Sequence, residues 1–364
     1  MRLARTGKQL CRRALALALG IAPALPACGG PGGVAPPDEL GQTPDELGQT
    51  RQPIIGGALD EETSGVLGLA LDLGDRVAGH CSGTLLAPNL VLTARHCVAL
   101  TEATDAEGAV ECGSAKFKPS FPARMLLASP APVRPTDPDD PSYVRGREIR
   151  TLGGPNDVCG FDIALIILEG SVPGSALPIA PRLASAPVDR ESFSTIGYGL
   201  TSVTDPASDG TRQRASGSDV RCSGDECVSL SGGSIRSSEW ASMNAPICSG
   251  DSGGPALDER GRVFGVASRG DPGCEIAVYG DVSSWGPFIV DTALEAADLG
   301  GYVAPEWTAE EYLVREQQSA SDDGGCSVAA TGPSGARLSS IGASVLLFGA
   351  CLLRRARRGR QVLP

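Results

Sequence analysis

The sequence predicts an all-β domain flanked by segments that cannot join a core. Glycine (48) and proline (28) are abundant and aromatics make up only 4% of the 364 residues, a composition that suits short strands joined by many turns. From Ile54 onward, β-branched and apolar clusters alternate with turn residues. They fall at Val66 to Leu73, Ser82 to Leu86, Leu90 to Thr93, Ile163 to Leu168, Ser194 to Ile196 and Val263 to Ala267. The length accommodates one β-barrel unit of roughly 200 to 250 residues with tails.

The elements fall into five segments. Residues 1–27 read as a signal peptide: Arg2, Arg5, Lys8, Arg12 and Arg13 precede an apolar stretch from Ala14 to Leu25 and a small-residue exit. That stretch is too short to span a bilayer, which takes about 20 residues. Cys28, before Gly29-Gly30, resembles the lipid-acceptor cysteine of bacterial lipoproteins, and both lipidation and ordinary cleavage stay open there. Residues 28–53 read as a linker or propeptide, because Pro-Asp-Glu-Leu-Gly-Gln-Thr occurs in tandem at Pro37 to Thr43 and Pro44 to Thr50 and buries nothing.

The folded domain spans 54–300. Within it Ser129 to Pro141 holds five prolines and reads as a surface insertion, and alanine-rich Asp291 to Leu299 reads as a closing helix. Residues 301–325 read as a linker and 326–364 as a terminal sorting or membrane segment. There Gly324-Gly325-Cys326-Ser327, an apolar run from Leu338 to Leu353, and Arg354, Arg355, Arg357, Arg358 and Arg360 follow one another. The pattern resembles the C-terminal sorting signals of myxobacterial surface proteins, in which the cysteine is kept and the helix removed. A single-span tail anchor, with the arginines on the cytoplasmic side, is the alternative. Both put the domain at a cell surface; simple secretion is the remaining outcome.

A net charge of -12 excludes nucleic acid as a partner, since phosphates require a basic face. Eight of the twelve cysteines (Cys81, Cys97, Cys112, Cys159, Cys222, Cys227, Cys248 and Cys274) lie inside the domain, and in an exported chain they are expected to form disulfides. Roughly a hundred pairings are open from sequence alone. With only His80 and His96 available, a structural zinc site is not expected.

A serine hydroxyl becomes a nucleophile only with a base, a group to orient the base, and donors for the developing oxyanion. All four parts can be found. Gly250-Asp251-Ser252-Gly253-Gly254-Pro255 sets a serine between glycines that allow a sharp turn and bring amide hydrogens close to a substrate carbonyl, Thr93-Ala94-Arg95-His96-Cys97 supplies a histidine beside a cysteine, and Phe161-Asp162-Ile163-Ala164-Leu165 places an acid at the head of an apolar strand.

The order His96, Asp162, Ser252 resembles that of the chymotrypsin and trypsin family of serine proteases. Further matches are Ile54-Ile55-Gly56-Gly57, Cys81-Ser82-Gly83-Thr84, Gly197-Tyr198-Gly199 and Val266-Ala267-Ser268. The resemblance implies two six-stranded antiparallel β-barrels with a C-terminal helix and the triad in the cleft between them. It implies a serine endopeptidase acting on proteins or peptides, without metal or organic cofactor. His96 is then the base, Asp162 its orienter, Ser252 the nucleophile, and the amides of Gly250 and Ser252 the oxyanion hole. It also implies disulfides Cys81 to Cys97 and Cys248 to Cys274; the pairing of the remaining Cys112, Cys159, Cys222 and Cys227 stays open, with Cys112 to Cys159 and Cys222 to Cys227 as the working assignment.

In the family an activating protease cuts before the Ile54 motif, and the new amine pairs with the residue at Asp251. Here Pro53 precedes the bond where arginine or lysine is usual, and Arg51 lies two residues upstream, so trypsin itself is not the expected activator. The pocket floor is Pro246 instead of an aspartate, with Ser268, Gly270 and Ala277 along the walls, which implies cleavage after apolar residues. Entry of Asp271 or Glu275 into the pocket would reverse that preference. Arg269, where tryptophan is common, reads as a solvated surface arginine, with a preference for upstream acidic side chains as the alternative. A catalytically silent relative serving as a binding or adhesion module is the rival class. An esterase is disfavoured because those enzymes order the triad Ser, Asp, His.

Overall fold

The computed structural model describes Ile54 and residues 57–323, except 103–109, 155, 175, 203–204, 206–207, 233, 272–273 and 275, with the backbone alone at His80 and 319–323. The leader, repeat spacer and terminal sorting segment of the sequence reading lie outside these residues, as do Arg51, Pro53 and Glu275. Among the described residues no helix is long and apolar enough to cross a membrane.

The first half comprises β1 (Ala58–Leu59), β2 (Val66–Asp72), β3 (Val77–Ala87), β4 (Leu90–Thr93), β5 (Ala99–Thr101), β6 (Phe117–Ser120), β7 (Leu126–Ser129), β8 (Val144–Thr151) and β9 (Ala164–Leu168). The second half comprises β10 (Ser192–Gly197), β11 (Gln213–Asp219), β12 (Cys222–Ser223), α1 (Gly224–Leu230), β13 (Glu239–Ser242), β14 (Pro255–Leu257), β15 (Val263–Gly270) and β16 (Ala277–Asp281). It is followed by α2 (Gly286–Gly300) and α3 (Glu310–Asp323).

Strands β2, β3, β4, β9, β8 and β7 close a six-stranded antiparallel barrel. The strand clusters read in the sequence all lie within or across observed strands. β4 and β9 are buried at every position, which is why they appear as unbroken apolar runs instead of an alternation. The second half is an eight-stranded sheet in the order β1-β11-β10-β14-β15-β16-β13-β12. It departs from the expected closed six-stranded barrel in two ways: it carries the two-residue edge strands β1 and β12, and among the described residues no ladder between β11 and β13 closes it, so it is a curled sheet. Its core is aromatic: Trp240 stacks on Tyr279 at 4.3 Å and Phe264 at 5.1 Å, with Phe193 edge-on.

Four disulfides join Cys81 to Cys97, Cys112 to Cys159, Cys222 to Cys227 and Cys248 to Cys274. The proline-rich segment read as a surface insertion is partly docked: Arg134 is buried, its N–H donates to the Gly210 carbonyl at 2.8 Å, and its guanidinium pairs with Asp209. A buried arginine requires such partners, and here they come from the second half of the chain.

The segment read as a linker after residue 300 is folded. Helix α2 begins with Pro287 in its first turn and ends at Gly301 in the left-handed conformation (φ 67°). The Tyr302 hydroxyl then donates to Asn89 Oδ1 at 2.6 Å, Trp307 is buried, and Glu316 on α3 pairs with Arg262. Asn89 lies at the end of β4 away from His96, and Arg262 lies before β15 at its end away from Ser268, so this extension grips the face remote from those residues. Trp307→Ala is expected to destabilise the intact chain by about 3 kcal/mol or more. Urea denaturation measures it; a loss under about 1 kcal/mol would place the extension outside the cooperative unit.

Candidate active site

His96 and Asp162 meet because β4 and β9 are paired. The register sets Thr93 opposite Ala164, so the chain leaving β4 and the chain entering β9 share one end of the barrel. His96 sits in a single 3-10 turn, Arg95–Cys97, that the Cys81 disulfide ties back to β3. The backbone N–H of His96 donates to Asp162 Oδ1 at 2.9 Å, and its Nδ1 lies 2.8 Å from Oδ2. The Ser268 hydroxyl donates to the same Oδ2 at 2.6 Å. With Nδ1 facing a carboxylate, the proton resides there and Nε2 is left as the acceptor.

Burial favours a neutral Asp162, but the His96 charge and the hydrogen bonds from His96 and Ser268 outweigh it and hold the carboxyl below its ordinary value. Burial likewise opposes a charged imidazole; the Asp162 charge and hydrogen bond win, so His96 ends above the ordinary histidine value, with Arg269 pulling the other way. The imidazolium that forms on proton uptake is thereby stabilised. Among the described residues, one group of three side chains has metal-donor spacing, Cys81, His96 and Cys97. Two of its donors are joined to each other as a disulfide, so it is not a metal site.

Ser252 lies on the turn between β13 and β14, and Ser82 anchors that turn. The Ser82 N–H donates to the Ser252 carbonyl at 2.8 Å, its hydroxyl donates to the Gly250 carbonyl at 2.9 Å, and Tyr198 N–H donates to that hydroxyl at 2.9 Å. Sequence reasoning quoted Ser82 within a motif and gave it no role. Gly253 has φ 80°, and a Cβ there would collide with Thr93 Oγ1 and the Ser82 carbonyl, so glycine is required on both counts. The Gly250 and Ser252 N–H groups donate to no other described residue. Among the described residues Ser252 Oγ makes no hydrogen bond to His96, whose ring bonds instead to Asp162.

Asp251 is buried and points away from the serine: Oδ1 accepts from Gly199 N–H at 2.8 Å and Oδ2 from Cys248 N–H at 2.9 Å. No cation pairs with it among the described residues. Burial therefore prevails over the two hydrogen bonds and pushes its carboxyl up to about 7. Ile54 is fully buried with φ 48°, its nitrogen still in peptide linkage, and is not ion-paired with Asp251 in the intact chain.

Of the residues read as substrate-binding, Pro246 is half-buried, Ala277 is buried opposite Gly270 in the β15–β16 ladder, and Ser268 is committed to Asp162. The Cys248–Cys274 disulfide joins the serine loop to the turn after β15. Asp271 Oδ1 accepts from Ile276 N–H at 2.6 Å, which engages it within its own turn. Arg269 corrects the sequence reading. It is not a solvated surface arginine: its guanidinium makes a two-pronged pair with buried Glu239 at 2.6 and 2.9 Å and donates to the Ser234 carbonyl at 2.9 Å. With its charge neutralised, it has no call to recognise acidic side chains. Glu239 was missed because nothing in its local sequence marks it.

A search of curated proteins returns no match. The family model described as Trypsin matches residues 54–289, which run from the buried Ile54 through the His96, Asp162 and Ser252 segments into α2. The chain therefore belongs to the trypsin family of serine proteases.

Proposed function

We propose that this chain is an exported serine endopeptidase in which Ser252 attacks the substrate carbonyl. His96 Nε2 takes the Ser252 proton and returns it to the leaving amine, while Asp162 holds the imidazole and balances its charge. The Gly250 and Ser252 amides receive the oxyanion of the tetrahedral intermediate, and water then releases the acyl group by the same steps in reverse. The observation that carries this reading is the His96 Nδ1 to Asp162 Oδ2 bond of 2.8 Å. It leaves the other imidazole nitrogen as a base on the side away from the acid.

The four disulfides support a location outside the cytoplasm. In the reading, residues 1–27 direct export, 28–53 are removed on activation, and Cys326 with the apolar and arginine-rich tail serves a surface-sorting machinery of the myxobacterial type. If Cys28 were lipidated, cleavage before Ile54 would separate that tether from the domain. The apolar character of Pro246 and Ala277, with Asp271 held in its own turn, supports cleavage after apolar residues.

Activation follows from Asp251. A buried carboxylate without a cation is unfavourable, and the amine freed at Ile54 would supply one. Because the folded-state value is raised, the intact chain loses stability as pH rises from about 4 toward 7.

Three measurements test the reading. In protein whose N-terminus is read as Ile54 by mass spectrometry, a fluorophosphonate should label the wild type and not Ser252→Ala, which should lose at least about 10³-fold in activity. Absence of labelling would favour the binding-module class. A peptide panel should show kcat/KM higher by on the order of 10²-fold after leucine, methionine or phenylalanine than after arginine or lysine; the reverse order overturns the pocket assignment. Finally, the stability difference between intact Asp251→Asn and the intact wild type should move in favour of the asparagine by roughly 1–3 kcal/mol between pH 4 and pH 8, because only the wild type carries a carboxyl that must ionise in place, whereas the amide's loss of one backbone N–H partner is the same at both. After maturation, the difference should move the other way. A difference between the intact chains that does not change with pH would sink the activation argument.

A further inference from the structure

The buried pair formed by Arg269 and Glu239 bears on the aspartate of the candidate site. Glu239 opens β13 and is only 2% exposed. Its carboxylate is saturated: Oε1 accepts from Arg269 Nη1 at 2.6 Å and from Gly160 N–H at 2.7 Å, and Oε2 accepts from Arg269 Nη2 at 2.9 Å and from Arg236 N–H at 2.8 Å. Gly160 stands two residues before Asp162. It is gripped a second time by the Ser238 hydroxyl, which donates to its carbonyl at 2.9 Å, and it sits in the left-handed region (φ 84°) with Arg236 and Ser238 too close to admit a Cβ comfortably. Cys159, the residue before it, is fixed by its disulfide to Cys112.

The other end of this frame begins at Ser268, whose hydroxyl donates to Asp162, and Arg269 is the very next residue. Successive side chains on a regular strand face opposite ways. Here the β15–β16 register slips between Ala267, opposite Tyr279, and Arg269, opposite Val278, so Ser268 is the extra residue of a β-bulge. The bulge lets neighbouring residues serve one segment, a use bulges commonly find near active sites. Ser268 holds the Asp162 carboxylate directly. Arg269, through Glu239, holds the backbone that delivers it.

We propose that Arg269 and Glu239 are a positioning pair for Asp162: together with Ser268 they fix its carboxylate against His96 and set the charge that His96 feels. The proposal rests on the reading of Asp162 and His96 as orienter and base, and it deepens that reading by adding two residues that touch neither substrate nor reacting atoms. His96 is faced by Asp162 from the loop before β9 and by Arg269 from β15, so its proton affinity responds to both. Removing Arg269 takes a positive charge away from His96, whereas removing the Glu239 carboxylate leaves that charge unbalanced, so the two losses act on His96 in opposite directions where a purely structural role would give both the same effect.

The test uses the matured chain and the variants Arg269→Met, Arg269→Lys and Glu239→Gln. Both Arg269→Met and Glu239→Gln should lower kcat about 10- to 100-fold with KM within about threefold, the scale of a small misplacement of a catalytic group. Arg269→Lys should recover part of the loss, since an ammonium keeps the charge without the fork. The acidic limb of kcat/KM should move to higher pH in Arg269→Met and to lower pH in Glu239→Gln. The titration of His96 by NMR, in a chain with only one other histidine, His80, reads the same shifts without turnover, and so decides the pair even if Ser252 proves inert toward fluorophosphonate. Glu239→Gln keeps the side-chain volume and answers the question if Arg269→Met does not fold. Unchanged kcat and unmoved His96 titration in folded variants, with only the thermal midpoint lowered, would overturn the proposal.

Discussion

A carboxylate removed from water remains ionised only where donors replace the solvent, and in this protein Asp162 is that carboxylate. Two bonds from His96 and one from Ser268 provide the donors, drawn from the first barrel and from the second sheet. The constraint propagates outward. To present those donors, the turn after β4 must be stapled by Cys81–Cys97, the loop before β9 must be held at Gly160, and β15 must carry a bulge. The proximity of the two halves at the site is thus enforced chemically by a group neither half could bury alone.

The serine segment obeys a second constraint, steric in origin. Ser82 reaches from β3 to bind both the Gly250 and Ser252 carbonyls, which brings the two backbones so close that Gly253 can have no side chain. Asp251 faces the other way into Gly199 and Cys248 and pairs with no cation among the described residues. One turn therefore joins Ser252, fixed by the first barrel, to a buried acid with no cation beside it among the described residues, so the proposed chemistry and the proposed maturation draw on the same few residues.

Much of this was legible in the sequence where the signal is local. Leu90 to Thr93 and Ile163 to Leu168 are short apolar runs bounded by turn residues, and the glycines around Ser252 mark a backbone approach that needs no partner to be noticed. What could not be read depends on residues far apart in the chain. Arg269 looks like any arginine near a strand end until Glu239, thirty positions away, is seen beneath it. Arg134 was placed in a solvated insertion because its prolines break strands, and its pairing with Asp209 is a long-range event. The fold past residue 300 was missed for a related reason: Trp307 and Glu316 are single buried residues in an otherwise polar stretch, too sparse to form a periodic pattern.

The bulge at Ser268 makes the residue count of β15 part of the chemistry. A regular strand would send Ser268 and Arg269 to opposite faces, and no substitution of side chains could compensate. Deleting one residue there would straighten the ladder while severing both grips on Asp162 and stranding Glu239 without its cation. Insertions and deletions in this strand are thus barred by the site and by the charge beneath it, so its length should drift far less than that of the loops on either side.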